Sequence, residues 1–390
     1  MTIRILICLL LPLQVFSQLT LETAVQMALQ QNKGLQAATA GIGYYRSLAG
    51  SSGELPKTEV GLQYGQMNSY ISSDNNFSVS QTIPFPSVFG ARKQLNHAQE
   101  EKAVLGKAAT QNELVYQVKQ VYVQLLYLRE HRMLIKQQDS LFTRFAHTAA
   151  LRYKTGESRM LEKTAAEGRW NEVRNLLRQN EADINICMAR LQALLGITTP
   201  VTITETSIPA ASLMVLNDST AVAGNPQLQY FKQQITLAEK QKQVMKAAIL
   251  PDITLGYFNQ SLTGNPLNAS GTPLATGSNR FQSFRVGLAL PLWLGPLKAK
   301  AKAEEKQQEA AVLNYENNLV QLLSQYQQAV QQFIKNRNSL EFYQHTSFSN
   351  AALMLTQSEK SYTTGEISYA EHFLNLEHAL AAQQGYLKAR

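Results

Sequence analysis

The sequence predicts a mainly α-helical protein with membrane β-strands, built as two copies of one plan. Three observations lead there. The phrases YKTGES at Tyr153–Ser158 and YTTGEI at Tyr362–Ile367 repeat one another 209 positions apart (362 − 153). Each closes about 65 proline-free residues in which apolar side chains recur at helical spacing. Each of those helical patterns is preceded by two short segments of alternating polarity, the signature of strands.

Composition agrees with long helices rather than one compact globule. Of 390 residues 44% are hydrophobic and 16% charged, which suits helices with extended polar faces. After the first residues no apolar run reaches the roughly 18–20 residues of a membrane-spanning helix. Any membrane passage must therefore use strands. The formal charge of +8 is spread out, and a stretch such as Lys298–Lys302 lacks interleaved aromatics. Nucleic acid is not an expected partner, and a solvated helix face is the default for such lysines.

The N-terminal residues 1–17 read as a secretory signal peptide, with Arg4 before the apolar run Ile5–Val15 and a cleavage site around Phe16-Ser17-Gln18. Cys8 falls inside it, so cleavage leaves Cys187 without an intramolecular disulfide partner. The first repeat spans 18–215, with strands at about 58–68 and 76–84, a long helix at about 88–152, a return helix at about 158–195 and an equatorial segment at about 196–215. The second spans 216–390, with strands at about 252–262 and 280–291, a long helix at about 297–362 and a return helix at about 368–390.

Alternation gives each strand two faces. Val60, Leu62 and Tyr64 oppose Gly61, Gln63 and Gly65, while Phe284, Val286 and Leu288 oppose Arg285, Gly287 and Ala289. Such strands coat a soluble core, or face lipid on one side and water on the other. The polar loops Ser69–Asn76 and Leu262–Arg280 favour lipid. Four strands cannot close a barrel, for which about eight is the minimum. Two chains supply eight and three supply twelve, so a closed symmetric oligomer is expected. The stripes Leu114, Val118, Val121, Leu125, Leu128 and Leu319, Leu322, Tyr326, Val330, Phe333 predict coiled-coil packing along the long helices.

No nucleophile–base arrangement, phosphate loop or cofactor motif stands out, so neither an enzyme nor a cofactor is expected. His372 and His378 neighbour Glu371 and Glu377, but their spacing is not the i, i+4 pair of a helical metal site, and both read as surface residues. Trp170 reads as a packing residue, and Trp293, just past the fourth strand, as part of an interfacial aromatic girdle.

The ordered set resembles the TolC-like outer-membrane efflux proteins. The resemblance is carried by the opening LTLETAVQMALQQNKGL at Leu19–Leu35, the duplicated element order, and the phrases RYKTGE at Arg152–Glu157 and SYTTGE at Ser361–Glu366. It implies a homotrimer whose three sheets complete a twelve-stranded barrel in outer-membrane lipid, continued by a coiled-coil helical tunnel through the periplasm. It implies that Arg152, Tyr153, Gly156 and Glu157, with Tyr362, Gly365 and Glu366, form tips that dock partners. Those partners are a periplasmic adaptor (membrane fusion protein) and an inner-membrane transporter, with the resistance-nodulation-division type as one candidate. Glu162 and Glu371, each six residues beyond a turn glycine, are implied to line the entrance, the other reading being solvated carboxylates. The chain departs from some members in carrying Ile367 where they have arginine, and in lacking a lipidated cysteine. The implied function is a passive exit duct from pump and adaptor to the cell exterior. The alternative is a periplasmic coiled-coil adaptor or scaffold.

Overall fold

The computed structural model describes residues 18–67, 74–205, 207–208, 220–262, 269–271 and 279–390. The expected signal peptide at 1–17, most of both β-hairpin loops and the expected repeat boundary at 215/216 lie outside the described residues. In chain order the elements are β1 (Gln18–Leu19), α1 (Leu21–Gln31), α2 (Lys33–Ala49), β2 (Glu59–Tyr64), β3 (Asn75–Ile83), α3 (Pro86–Lys154), α4 (Met160–Leu195) and β4 (Thr202–Ile203). They continue with α5 (Thr220–Ala223), α6 (Pro226–Ala247), β5 (Asp252–Leu262), β6 (Asn279–Ala289), α7 (Leu294–Phe342), a π-helical turn (Tyr343–Ser347), α8 (Phe348–Thr363) and α9 (Tyr369–Ala389). Among the described residues no helix is long and apolar enough to cross a membrane.

One compact unit takes in the described residues of Met1–Gln36, Thr110–Asp218 and Leu323–Arg390. Its N-terminal end is fixed by local chemistry. Thr20 caps α1, its hydroxyl accepting from the Thr23 N–H at 3.2 Å, and β1 pairs in parallel with β4. Ala24 and Ala28 then fall one turn apart on the buried face of α1. They meet the expected stripe of α3, in which Leu114, Val118, Val121, Leu125 and Leu128 are all buried, and Leu191 and Leu195 of α4. The Tyr122 hydroxyl, buried with its ring, donates to the Leu19 carbonyl at 2.9 Å. Gly196, with φ of 72°, ends α4.

A second core in this unit brings the two repeats together. Ile135, Phe142, Phe145 and Ala149 of α3, Ala166 and Val173 of α4, Tyr362 of α8, and Leu376 and Leu380 of α9 form one cluster. The second long helix differs from the expected uninterrupted one, because the π-helical turn divides α7 from α8. That turn sits against Gly385 of α9, where a Cβ would run into the Tyr343 ring. The second stripe, Leu319 to Phe333, is only half-buried within the single chain, so one of its sides lacks a cover that the first stripe has.

The other unit comprises Ala37–Ala109 and Ser219–Leu322. Asn225 caps α6, accepting from the Gln227 N–H at 2.8 Å, with Pro226 preset at the first helical position. The four-stranded sheet has the order β2-β3-β5-β6 and is antiparallel throughout. Its register sets Leu62 opposite Phe77 and places Val60, Val79, Tyr257 and Phe284 in one row. One face is therefore apolar. Gly61, Gln63, Ser78, Ser80, Thr254, Gly256 and Arg285 make the other face mostly polar.

The apolar face is bare. Val60, Leu62 and Tyr64 are 66%, 75% and 75% exposed, and Phe284, Val286 and Leu288 are 83%, 75% and 66% exposed. Trp293, just beyond β6, is 83% exposed. The edges β2 and β6 have no partner strand among the described residues.

Candidate functional site at the paired hairpin tips

The repeated phrase builds the same turn twice. In the α3–α4 turn, the Glu157 and Ser158 N–H groups both donate to the Arg152 carbonyl, at 2.9 and 3.2 Å, and Gly156 N–H donates to Tyr153 at 3.2 Å. In the α8–α9 turn, Glu366 and Ile367 donate to the Ser361 carbonyl, at 2.8 and 3.3 Å, and Gly365 donates to Tyr362 at 3.2 Å. Gly156 and Gly365 take φ of 78° and 79°, a left-handed conformation that ends the incoming helix. Thr155 and Thr364 return their hydroxyls to the last helical carbonyls. The glutamate that follows each glycine folds back onto the residue before the tyrosine. Glu157 lies 3.7 Å from Arg152, and Glu366 accepts from the Ser361 hydroxyl at 2.9 Å.

The matched side chains then diverge. Tyr362 is buried at 3% exposure, whereas Tyr153 is 39% exposed with Lys163 over its ring at 5.6 Å. Tyr362 is sandwiched. The Arg152 guanidinium lies 5.0 Å from its ring centre, and the His372 imidazole stacks 4.7 Å away with the planes 4° apart. Phe145 of α3 completes the nest against Tyr362, Tyr369 and His372.

His372 is thus a correction to the sequence reading as a surface residue. It is 5% exposed, its Nδ1 is 2.8 Å from the Ser358 hydroxyl, and burial pushes its pKa down against the opposing pull of Glu359. His378 is exposed. Among the described residues no group of three or more histidines, cysteines and carboxylates could hold a metal ion.

Glu162 and Glu371, matched in sequence, also sit differently. Glu371 is exposed and closes a capping box with Ser368, accepting from the Ser368 N–H at 2.9 Å. Hydrogen bonds from the Ser368 backbone, and then from its side chain, hold the Glu371 carboxyl below its ordinary value. Arg159, the counterpart of Ser368, makes no side-chain cap for α4. Glu162 is half-buried near the tyrosines of the second hairpin. Burial is the main cause that raises Tyr362, and it lifts Tyr369 to about 12, with Glu162 adding to both.

A further link between the hairpins carried no sequence signal. Arg169 of α4 meets Glu377 of α9 in an ion pair, Nη2 donating to Oε2 at 3.0 Å, while Nε lies 2.9 Å from Oε1 without the alignment of a hydrogen bond. Its other nitrogen reaches Glu172 at 2.6 Å, and its guanidinium covers the Phe142 ring at 5.5 Å. The tips are therefore joined below and present exposed Tyr153, Glu157, Glu366 and Glu371 above.

A family model described as outer membrane efflux protein matches residues 24–197 and 219–390, both halves of the duplication. The chain belongs to the outer membrane efflux protein family. Solved structures agree on the fold. The outer-membrane channel OprN is 15% identical with a TM-score of 0.79, the match covering 95% of this chain and 86% of that one. CusC, described as undergoing changes on forming a transmembrane channel, is 17% identical with a TM-score of 0.75 over 96% and 89% of the two chains. The outer membrane protein VceC from Vibrio cholerae is 16% identical with a TM-score of 0.73 over 95% and 92%. No curated protein matches the chain.

This efflux protein is accordingly an outer-membrane component with its helices extending into the periplasm, and its family is one of transport proteins rather than enzymes. Membership favours an efflux channel over the alternative adaptor or scaffold, and implies partnership with pump components.

Proposed function

We propose that the protein is the passive exit duct of a tripartite efflux system, assembled from three copies. The observation that carries the proposal is the four-stranded sheet, whose apolar face is bare and whose two edges lack a partner strand among the described residues. Unpaired strand edges are not tolerated in hydrocarbon, so the sheet must close. Strands β2 and β6 run in opposite directions, so β6 of one copy can pair antiparallel with β2 of the next. Three copies then supply twelve strands, and the half-buried stripe of α7 packs on a neighbour. Cleavage of residues 1–17 and a division into repeats at 215/216 belong to the same reading.

Energy comes from an inner-membrane transporter, one candidate type being resistance-nodulation-division, and coupling from a periplasmic adaptor. Their docking on the turns around Arg152–Glu157 and Tyr362–Glu366 shifts a closed tip towards an open one. Threefold symmetry makes rings of Glu162 and Glu371 at the entrance, which favour cations while it is narrow. Purified protein should run as a heat-modifiable trimer. Cysteines placed together along β2 and β6 should crosslink different copies in the membrane. A monomer, or crosslinks only within one chain, rejects the assembly. Photocrosslinkers at Thr155 and Thr364 should capture the adaptor or the transporter.

A further inference from the structure

Six lysines gather where the helices meet the sheet. Lys57 precedes β2, Lys93 lies in the second turn of α3, Lys246 ends α6, and Lys298, Lys300 and Lys302 follow the start of α7. All six are exposed, and none makes an ion pair or hydrogen bond among the described residues. The nearby carboxylates are fewer: Glu54, Glu59 and Asp252, with Glu304 and Glu305 further along α7. Glu59 is engaged with the Ser80 hydroxyl at 3.3 Å. Intramolecular pairing therefore does not explain the lysines. Nor does the helix dipole explain those of α7, since Lys298 follows a first turn with no acidic residue, near the positive end of that helix, whereas Lys246, in the last turn of α6, sits where the dipole suits a cation.

Their position does explain them. The sheet ends at Glu59, Ile83, Asp252 and Ala289 all lie together, opposite the hairpin loops. Trp293 and Leu292, 83% and 78% exposed, extend the bare apolar surface to the helix start. Lys298 to Lys302 follow Leu294 by four to eight residues, about 6–12 Å along the helix axis. Side chains on a helix lean towards its N-terminus, and lysine ammonium groups reach to an interface while their stems lie on apolar surface. The ammonium groups of α3 and α7 therefore lean back towards the end of the apolar band.

We propose that these lysines form a belt that docks on anionic phospholipid headgroups of the leaflet facing the periplasm. The proposal rests on the reading of the sheet as the membrane-spanning part. A charge on this side of the band fixes its depth from below, and three copies multiply the attraction.

The test uses the full-length protein in detergent with an equimolar mixture of phosphatidylglycerol and phosphatidylethanolamine, counting bound lipids by native mass spectrometry. The native protein should retain phosphatidylglycerol in preference. The preference should fall about fivefold per lysine removed, hence about a hundredfold in Lys298→Gln/Lys300→Gln/Lys302→Gln. It should also shrink at about 1 M salt. The triple variant should still form heat-modifiable trimers. Equal retention of the two lipids by the native protein overturns the belt, as does an undiminished preference in the triple variant. Loss of sedimentation with isolated cell wall, at unchanged lipid preference, overturns it in favour of a cell-wall contact. Failure of the native protein to insert into phospholipid nanodiscs removes the barrel reading itself, which is a separate result.

Discussion

Three glycines with one backbone conformation should respond unequally to the same substitution. Gly156, Gly365 and Gly196 take φ of 78°, 79° and 72°. An alanine there costs about 1–2 kcal/mol through the clash of Cβ with its own backbone. At the two tips a Cβ would meet nothing within 4 Å, so that is the whole cost. At Gly196 the Cβ would lie 2.7 Å from the Gln31 carbonyl oxygen and 3.1 Å from its carbon. That backbone yields only by disturbing Asn32, whose side chain donates to the Leu194 carbonyl at 2.9 Å. Gly196→Ala must therefore exceed either tip variant. Native-state hydrogen exchange of the full-length protein reads the difference. The amides of Glu157 and Ser158, and of Glu366 and Ile367, should open about 5- to 30-fold more often in Gly156→Ala and Gly365→Ala respectively. Asparagine at either tip should recover part of the loss, because it tolerates the left-handed region. Exchange unchanged within about twofold in both tip variants would refute the turn geometry. A Gly196→Ala effect no larger than theirs would refute the close approach to Gln31.

The aromatic nest makes Tyr362→Ala costly, about 3–5 kcal/mol as for other buried rings, whereas Tyr362→Phe keeps both stacking faces and should cost much less; denaturant unfolding of the two variants checks the order. Arg169 and Glu377 should couple by on the order of 1–3 kcal/mol in a double-mutant cycle, and additive single effects would deny the pair. Because burial lowers the pKa of His372 below its ordinary 6.5, the native state resists the proton that the unfolded state accepts. Stability should therefore be full above pH 6.5, decline as pH falls below it, and level off once native His372 titrates; thermal unfolding of His372→Leu should lack that part of the slope. Glu371→Gln preserves an acceptor for the Ser368 N–H but removes the charge, so cation selectivity in planar bilayers should drop while α9 stays folded. Unchanged selectivity would remove Glu371 from the entrance.

Much of the architecture was legible because it follows from periodicity. Val118, Val121 and Leu125 announced the buried face of α3, and the alternation of Val60, Leu62 and Tyr64 announced a sheet with one apolar side. The turns were legible because glycine at a left-handed position and a glutamate beside it were written twice. What stayed hidden depends on which helix faces which. Tyr153 and Tyr362 read alike, yet one is exposed and the other buried, since only Tyr362 finds Phe145 and His372 within its own chain. His372 read as a surface residue because its spacing from His378 made no metal pair, but at position 372 the helix turns towards Ser358 and Phe145. Arg169 and Glu377 are 208 positions apart, and no local pattern connects them.

The π-helical turn at Tyr343–Ser347 has a consequence for how a duplicated protein keeps its phase. A π turn closes its hydrogen bonds over five residues instead of four, so Tyr343–Ser347 houses one residue more than a regular turn would. One added residue would rotate everything beyond it by about 100° in a regular helix, because each residue turns by that angle. Tyr362 would then point away from Phe145, and the second tip would lose its match to the first. A single wide turn takes up the extra residue locally, and Gly385 leaves the room for it. The surplus residue is held in one place as a loosened coil, and the rhythm of side chains downstream arrives at the tip on the beat.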